Sequence, residues 1–162
     1  MRRVPVAALT AEAFAPFGTV LEPGGESARL IRDGAVRLTQ FPGFLGRDAA
    51  ATEVAFDYYE VQPQVGPLTL RQAERHPFSD QLFVALNGAR FLAVVWPEDP
   101  ATSDPIGFVG APGQAVIYRA GVWHHAIVAV EGEALFGSLI WRTGRGDDTV
   151  FAALDSGWTV AP

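Results

Sequence analysis

The 162-residue chain has no cysteine, no lysine, a single methionine and only three histidines. Without sulfur donors there is no thiolate nucleophile, no CxxC redox pair and no cysteine-ligated structural zinc. Without lysine there is no Schiff base and no P-loop lysine, so every basic side chain is a guanidinium. The twelve basic residues, all arginine, face eighteen acids for a net charge of −6, and they form no basic stripe. Such a surface does not neutralise phosphates, which leaves no case for nucleic acid as a partner. The basic start Met1-Arg2-Arg3 leads into Val4-Pro5-Val6-Ala7-Ala8-Leu9, too short a run for a signal-peptide core before Glu12. No segment approaches the ~18 apolar residues of a membrane span. The expectation is a soluble cytoplasmic protein folded as one domain over residues 1–162, and a chain of that size buries roughly 70% of its unfolded surface without disulfides.

What the chain does have is punctuation. Seventeen glycines and twelve prolines separate short apolar runs instead of forming one low-complexity block, the spacing of many strands joined by turns. Thr10 is placed to cap a short helix through Ala11, Glu12, Ala13 and Phe14, which Pro16 and Gly18 stop. A strand over Thr19–Glu22 follows. Next comes a hairpin of Ala28–Arg32 with Ala35–Thr39, since Asp33-Gly34 suits the positive φ angles of a type I′ turn. Residues 41–52 read as loop. Regular strand signals then cover Val54–Val61, Leu68–His76, Gln81–Leu86, Arg90–Trp96, Ile106–Val109, Ala115–Arg119, Val122–Val130 and Ala134–Trp141. Asn87-Gly88 is the sharpest turn signal. This pattern predicts an all-β fold, a small β-barrel or jelly roll with a short N-terminal helix and a pocket in its interior. The aromatic residues Phe83, Phe91, Trp96, Trp123, Phe136 and Trp141 are its expected core.

The histidines are His76, His124 and His125. In Glu74-Arg75-His76-Pro77 the period of two along a strand puts Glu74 and His76 on one face and Arg75 on the other. Gln81 follows five residues later, so Glu74, His76 and Gln81 are expected to converge from two adjacent strands. The second segment runs from Gly113 through Gly121 to His124 and His125, with His125 turned away from His124. Together the segments resemble the two motifs of the cupin superfamily. The first motif has a His-x-His pair, then a glutamate and a glycine; Glu74 stands at the first histidine, His76 at the second, Gln81 at the glutamate and Gly88 at the glycine. In the second, Gly113, Gly121 and His124 match in spacing, while Arg119 replaces a proline and Val128 an asparagine. The resemblance implies a metal site of Glu74, His76, Gln81 and His124. Its charge equals that of the superfamily's set of three histidines and a glutamate, because the carboxylate has changed place and not disappeared. Imidazole nitrogen with carboxylate oxygen suits a divalent ion, nickel or zinc foremost, with iron and manganese also compatible.

More specifically, Glu74-Arg75-His76-Pro77 with Gln81 and Phe83, and Gly121-Val122-Trp123-His124-His125, are similar to the corresponding stretches of the ureidoglycolate lyase family. The likeness runs from Leu9-Thr10 and Phe17-Gly18 to Arg142, and leaves the last twenty residues unassigned. It implies elimination of urea from ureidoglycolate to give glyoxylate, in purine and allantoin breakdown, by a homodimer acting on this small molecule. That chemistry needs a base for the hydroxyl proton, an acid for the departing nitrogen and a holder for the carboxylate. Glu74, His76 and His124 are the expected catalytic groups. Arg71, Tyr118 and Arg119 are the expected substrate contacts, with Arg142 a further arginine of the same kind. Two alternatives stay open: an amidohydrolase of the same substrate, and a non-catalytic cupin module that binds a small carboxylate.

Overall fold

The computed structural model describes residues 1–43, 45–155 and 157–161. In chain order the first strands are β1 (Arg2–Arg3) and β2 (Val6–Ala8), then helix α1 (Ala11–Phe14), β3 (Gly18–Leu21) and the hairpin β4 (Arg29–Ile31) and β5 (Val36–Leu38). Next come β6 (Glu53–Val61), β7 (Leu68–Thr69), β8 (Gln72–Arg75), β9 (Gln81–Ala85), β10 (Phe91–Trp96) and β11 (Ile106–Gly110). The chain continues through β12 (Ala115–Tyr118), β13 (Trp123–His124), β14 (Val128–Ala129), β15 (Ala134–Arg142), β16 (Val150–Ala153) and β17 (Trp158–Val160). The helix is the one expected, with Thr10 Oγ1 accepting the Ala13 N–H at 3.2 Å. The first hairpin also forms as expected: Asp33 and Gly34 have φ of 55° and 85°, and the Ala35 N–H donates to Arg32 at 3.1 Å across the tight turn.

Two sheets face each other. One has the order β3-β12-β9-β15-β6 and the other β16-β8-β13-β10-β11-β2, with β14 also paired to β10. Alternation along each strand sends every second side chain between them. Phe83, Val116, Tyr118 and Phe136 from the first sheet meet Phe91, Ala93, Val95 and Phe108 from the second, and Phe14 of the helix closes the same core. A second core of Leu70, Ala73, Leu92, Val94, Trp96 and Trp123 lies on the outer side of the second sheet. It is covered by a small sheet in which β17 lies between β1 and β7. These terminal strands, with β2 and β16, were not anticipated from the sequence.

Asn87-Gly88 makes a turn but does not join paired neighbours. Gly88, at φ 70°, donates to the Ala85 carbonyl at 3.2 Å, and the chain then crosses from one sheet to the other. The Asn87 side chain braces the start of β15, donating to the Glu133 carbonyl at 2.9 Å and accepting from the Leu135 N–H at 3.2 Å. One consequence reaches the site: β8 and β9 belong to opposite sheets, so Gln81 faces Glu74 and His76 across the interior instead of lying on a neighbouring strand.

Candidate metal and active centre

Strand β8 turns Ala73 toward the outer core and therefore Glu74 toward the interior. His76, just past the strand's end, points the same way. On β13, Trp123 joins the outer core and His124 points inward. The register sets His124 directly opposite Glu74, with Nε2 3.6 Å from Oε1. The His76 and His124 rings are 5.3 Å apart, and the ligand atoms of Glu74, His76 and His124 all lie within 4.8 Å of one another. The segment bearing His124 is held in place from behind: Gly121, at φ 81°, donates its N–H to the His76 carbonyl at 2.9 Å. Asp80 braces the same turn by accepting from Ala120 N–H at 2.8 Å.

Hydrogen bonds fix the tautomers of both imidazoles. His76 Nδ1 lies 3.2 Å from the Asp148 carbonyl and 3.2 Å from Thr149 Oγ1, and His124 Nδ1 lies 2.9 Å from the Val122 carbonyl. A carbonyl only accepts, so each Nδ1 carries the proton and each Nε2 presents a lone pair to the interior. Among the described residues, neither Nε2 nor the Gln81 Oε1 has a hydrogen-bond partner, and all three are buried. Three unmet acceptors beside a carboxylate are costly in a protein interior unless a cation sits among them. Glu74, His76 and His124 form a group that could hold a metal ion.

The electrostatics agree. Burial raises the Glu74 carboxyl, but positive charge facing it, on His124 first and then His76 and His125 when these are protonated, outweighs burial and holds it below the ordinary carboxylate value. The His76 imidazole is lowered, chiefly by burial and then by His124, which favours the neutral, lone-pair form. Burial likewise lowers His125, which points away from the cluster and hydrogen-bonds the Ala126 carbonyl through Nδ1 at 2.8 Å.

Tyr118 stacks flat on His124, rings 4.1 Å apart and 7° from parallel, and so locks the imidazole's orientation. Burial, with the Glu74 charge adding, raises its hydroxyl far above the usual range, so the group stays a donor, and it has no partner among the described residues. Of the two arginines expected to touch substrate, Arg119 donates from both terminal nitrogens to the Ala15 and Pro16 carbonyls at 3.0 Å each, tying down the end of α1. Arg71 is exposed ahead of β8, its carbonyl accepting the Leu154 N–H at 2.9 Å. Neither guanidinium is brought to the cluster. Arg75 lies on the outer side, 4.7 Å over the Trp123 ring.

Residues not singled out from the sequence complete the polar end of the interior. Ser138 is fully buried, its hydroxyl without a partner among the described residues, and Tyr59 packs edge-on against Phe83 at 5.1 Å with the Gln81 amide beside its hydroxyl. Neither is marked by sequence: Ser138 is one hydroxyl in an apolar strand, and Tyr59 is one of two adjacent tyrosines in a mixed one. The expected interior pocket is largely filled by aromatic rings. A cavity of about 390 Å³ instead opens behind the site, among Arg75, Trp96, Trp123, Glu98 and Phe17.

A profile of the family described as ureidoglycolate lyase matches residues 1–161. The chain belongs to the ureidoglycolate lyase family. The Brucella abortus ureidoglycolate lyase is 36% identical over 143 residues, covering 86% of this chain and 83% of its own. The Stutzerimonas stutzeri ureidoglycolate lyase is 33% identical, covering 91% and 88%. Among solved structures, a dTDP sugar isomerase from Desulfovibrio desulfuricans superposes with a TM-score of 0.51 at 16% identity, over 87% of this chain and 88% of that one. This last likeness concerns the all-β cupin fold alone.

Proposed function

We infer that this chain is a ureidoglycolate lyase, splitting the carbinol carbon–nitrogen bond of ureidoglycolate into glyoxylate and urea. The observation that carries the reading is the meeting of Glu74 with three unmet buried acceptors in a chain of this family. A divalent ion, nickel or zinc foremost, would be held by Glu74, His76, Gln81 and His124 and would supply Lewis acidity that makes the substrate hydroxyl easier to deprotonate. Where no ion is held, Glu74, the cluster's carboxylate, with a side chain 21% exposed, or His124 would take the hydroxyl proton. The electrons of that O–H bond become the new carbonyl, those of the carbon–nitrogen bond leave with the ureido nitrogen, and that nitrogen is reprotonated, so no water is consumed. Tyr118, a permanently protonated donor stacked on His124, is placed to hydrogen-bond the substrate.

The same proposal takes residues 1–162 as one catalytic domain working in the cytoplasm as a homodimer. Among the described residues, no helix is long and apolar enough to cross a membrane. The dimer reading is supported by the outer face of the five-stranded sheet, where Val54, Phe56, Tyr58 and Leu86 stay exposed. Assay with racemic ureidoglycolate, with and without chelator, tests the activity. Equimolar urea and glyoxylate are expected; ammonia release would make the enzyme an amidohydrolase, and binding without turnover would make it a carboxylate-binding module.

A further inference from the structure

We propose that Arg142 is the guanidinium that receives the substrate carboxylate, with Asp57 as its positioning residue. The inference rests on the ureidoglycolate reading and names the part of the site that selects an acid. Arg142 ends β15 on the same face as Ser138 and Ile140, which are buried toward the interior. Its backbone pairs with Glu53, yet its Nη2 donates to Asp57 Oδ2 at 2.5 Å. Asp57 lies four residues further along β6, ~13 Å of strand. Neither side chain spans that distance alone, so Arg142 lies back along the inner face and Asp57 leans toward it, and they meet about level with Ile140, whose backbone partners are Ala55 on β6 and Gln81 on β9.

Tyr59 links this head to the cluster. It stands two residues beyond Asp57 on the same face of β6, and its ring packs edge-on at 5.1 Å against Phe83, two residues along β9 from Gln81. Arg142 on β15 and Glu74 on β8 thus come from facing sheets, both part-exposed at the polar end, with Gln81 on the strand next to β15. Hydrogen bonding separates Arg142 from the other arginines near the site. Arg119 spends both terminal nitrogens on carbonyls, and Arg75 is stacked behind the sheet. Arg142 uses only Nη2 among the described residues, its side chain remains 44% exposed, and Nη1 and Nε are left for a ligand. A guanidinium already oriented by a carboxylate, with its remaining edge open, is suited to a second carboxylate through charge-assisted bonds. Opposite it, Glu74 would meet the hydroxyl on the adjacent carbon.

The test compares wild type with Arg142→Met, Arg142→Lys and Asp57→Asn on racemic ureidoglycolate, with metal content and melting temperature measured alongside. Arg142→Met is expected to raise KM about ten- to a hundredfold, with a smaller change in kcat, and to abolish inhibition by added glyoxylate. Arg142→Lys should fall between, keeping the charge without the fork, and Asp57→Asn should raise KM only a few-fold. Added methylguanidinium should partly restore an Arg142→Ala variant, which a merely structural role does not allow. If wild type turns over ureidoglycolate and folded, metal-loaded Arg142→Met keeps its KM and its glyoxylate inhibition, the assignment of Arg142 is overturned while the lyase reading stands. If wild type itself gives no urea, the reading beneath it fails.

Discussion

The two ends of the barrel interior are built by the same strands and obey opposite rules. At one end β9 contributes Phe83 and β15 contributes Phe136, whose rings sit edge to face at 6.2 Å, with Phe91 6.0 Å from Phe136. Two residues along, the same inward faces carry Gln81 and Ser138, and β12 carries Tyr118, all buried and all with a polar atom left unpaired. The aromatic end buries apolar area with every contact made, and stabilises the fold. The polar end leaves hydrogen-bonding capacity unspent in a dry place, which costs stability. Such a contrast within single strands marks where the molecule binds something.

The comparison can be broken at either end. At the polar end, Glu74→Gln or His124→Ala should lower kcat/KM by roughly a hundredfold to ten-thousandfold, with the circular dichroism spectrum unchanged; near-normal turnover would show that the cluster is not the site. At the aromatic end, Phe136→Ala should cost about 3–5 kcal/mol in urea denaturation through the cavity it opens. A loss well under 1 kcal/mol there would mean that this end is loosely packed. A divalent ion at a hundred times its dissociation constant should stabilise the chelated protein by about 2.7 kcal/mol, an increment absent from His124→Ala.

Acidification should sharpen the contrast more gently. Because folding depresses His76, the unfolded chain takes up a proton near pH 6.5 that the folded chain refuses, so metal-free stability falls as pH drops below that value. Glu74, also depressed, adds a further loss once pH falls into the carboxylate range. A melting temperature flat from pH 7 to 5 would contradict the His76 shift, and one flat from pH 5 to 3 the Glu74 shift.

Much of this was legible in the sequence, for identifiable reasons. From Glu53 to Arg142 short apolar runs bounded by turn residues mark the strands, and the facing of Glu74 and His76 follows from the period of two alone. The terminal strands carry no such signal. Arg2–Arg3 and Trp158–Val160 are two- and three-residue segments whose pairing joins opposite ends of the chain in parallel, which no local pattern records. The spacing that puts Gln81 near Glu74 and His76 does not record that the five residues between β8 and β9 carry the chain to the opposite sheet, nor that Asn87 braces β15 instead of closing a hairpin. The arginines illustrate the same limit. Arg119 and Arg142 look alike in sequence, and only the register of β15 and the position of the α1 carbonyls give them different partners.

Calorimetric titration of nickel or zinc into chelated protein, set beside the His76→Ala/His124→Ala double variant, asks directly whether the buried acceptors form a cation site. One ion bound per chain in the wild type and none in the folded double variant is the outcome expected from the paired Nε2 lone pairs facing Glu74. No binding by wild type, or undiminished binding by the double variant, would contradict it.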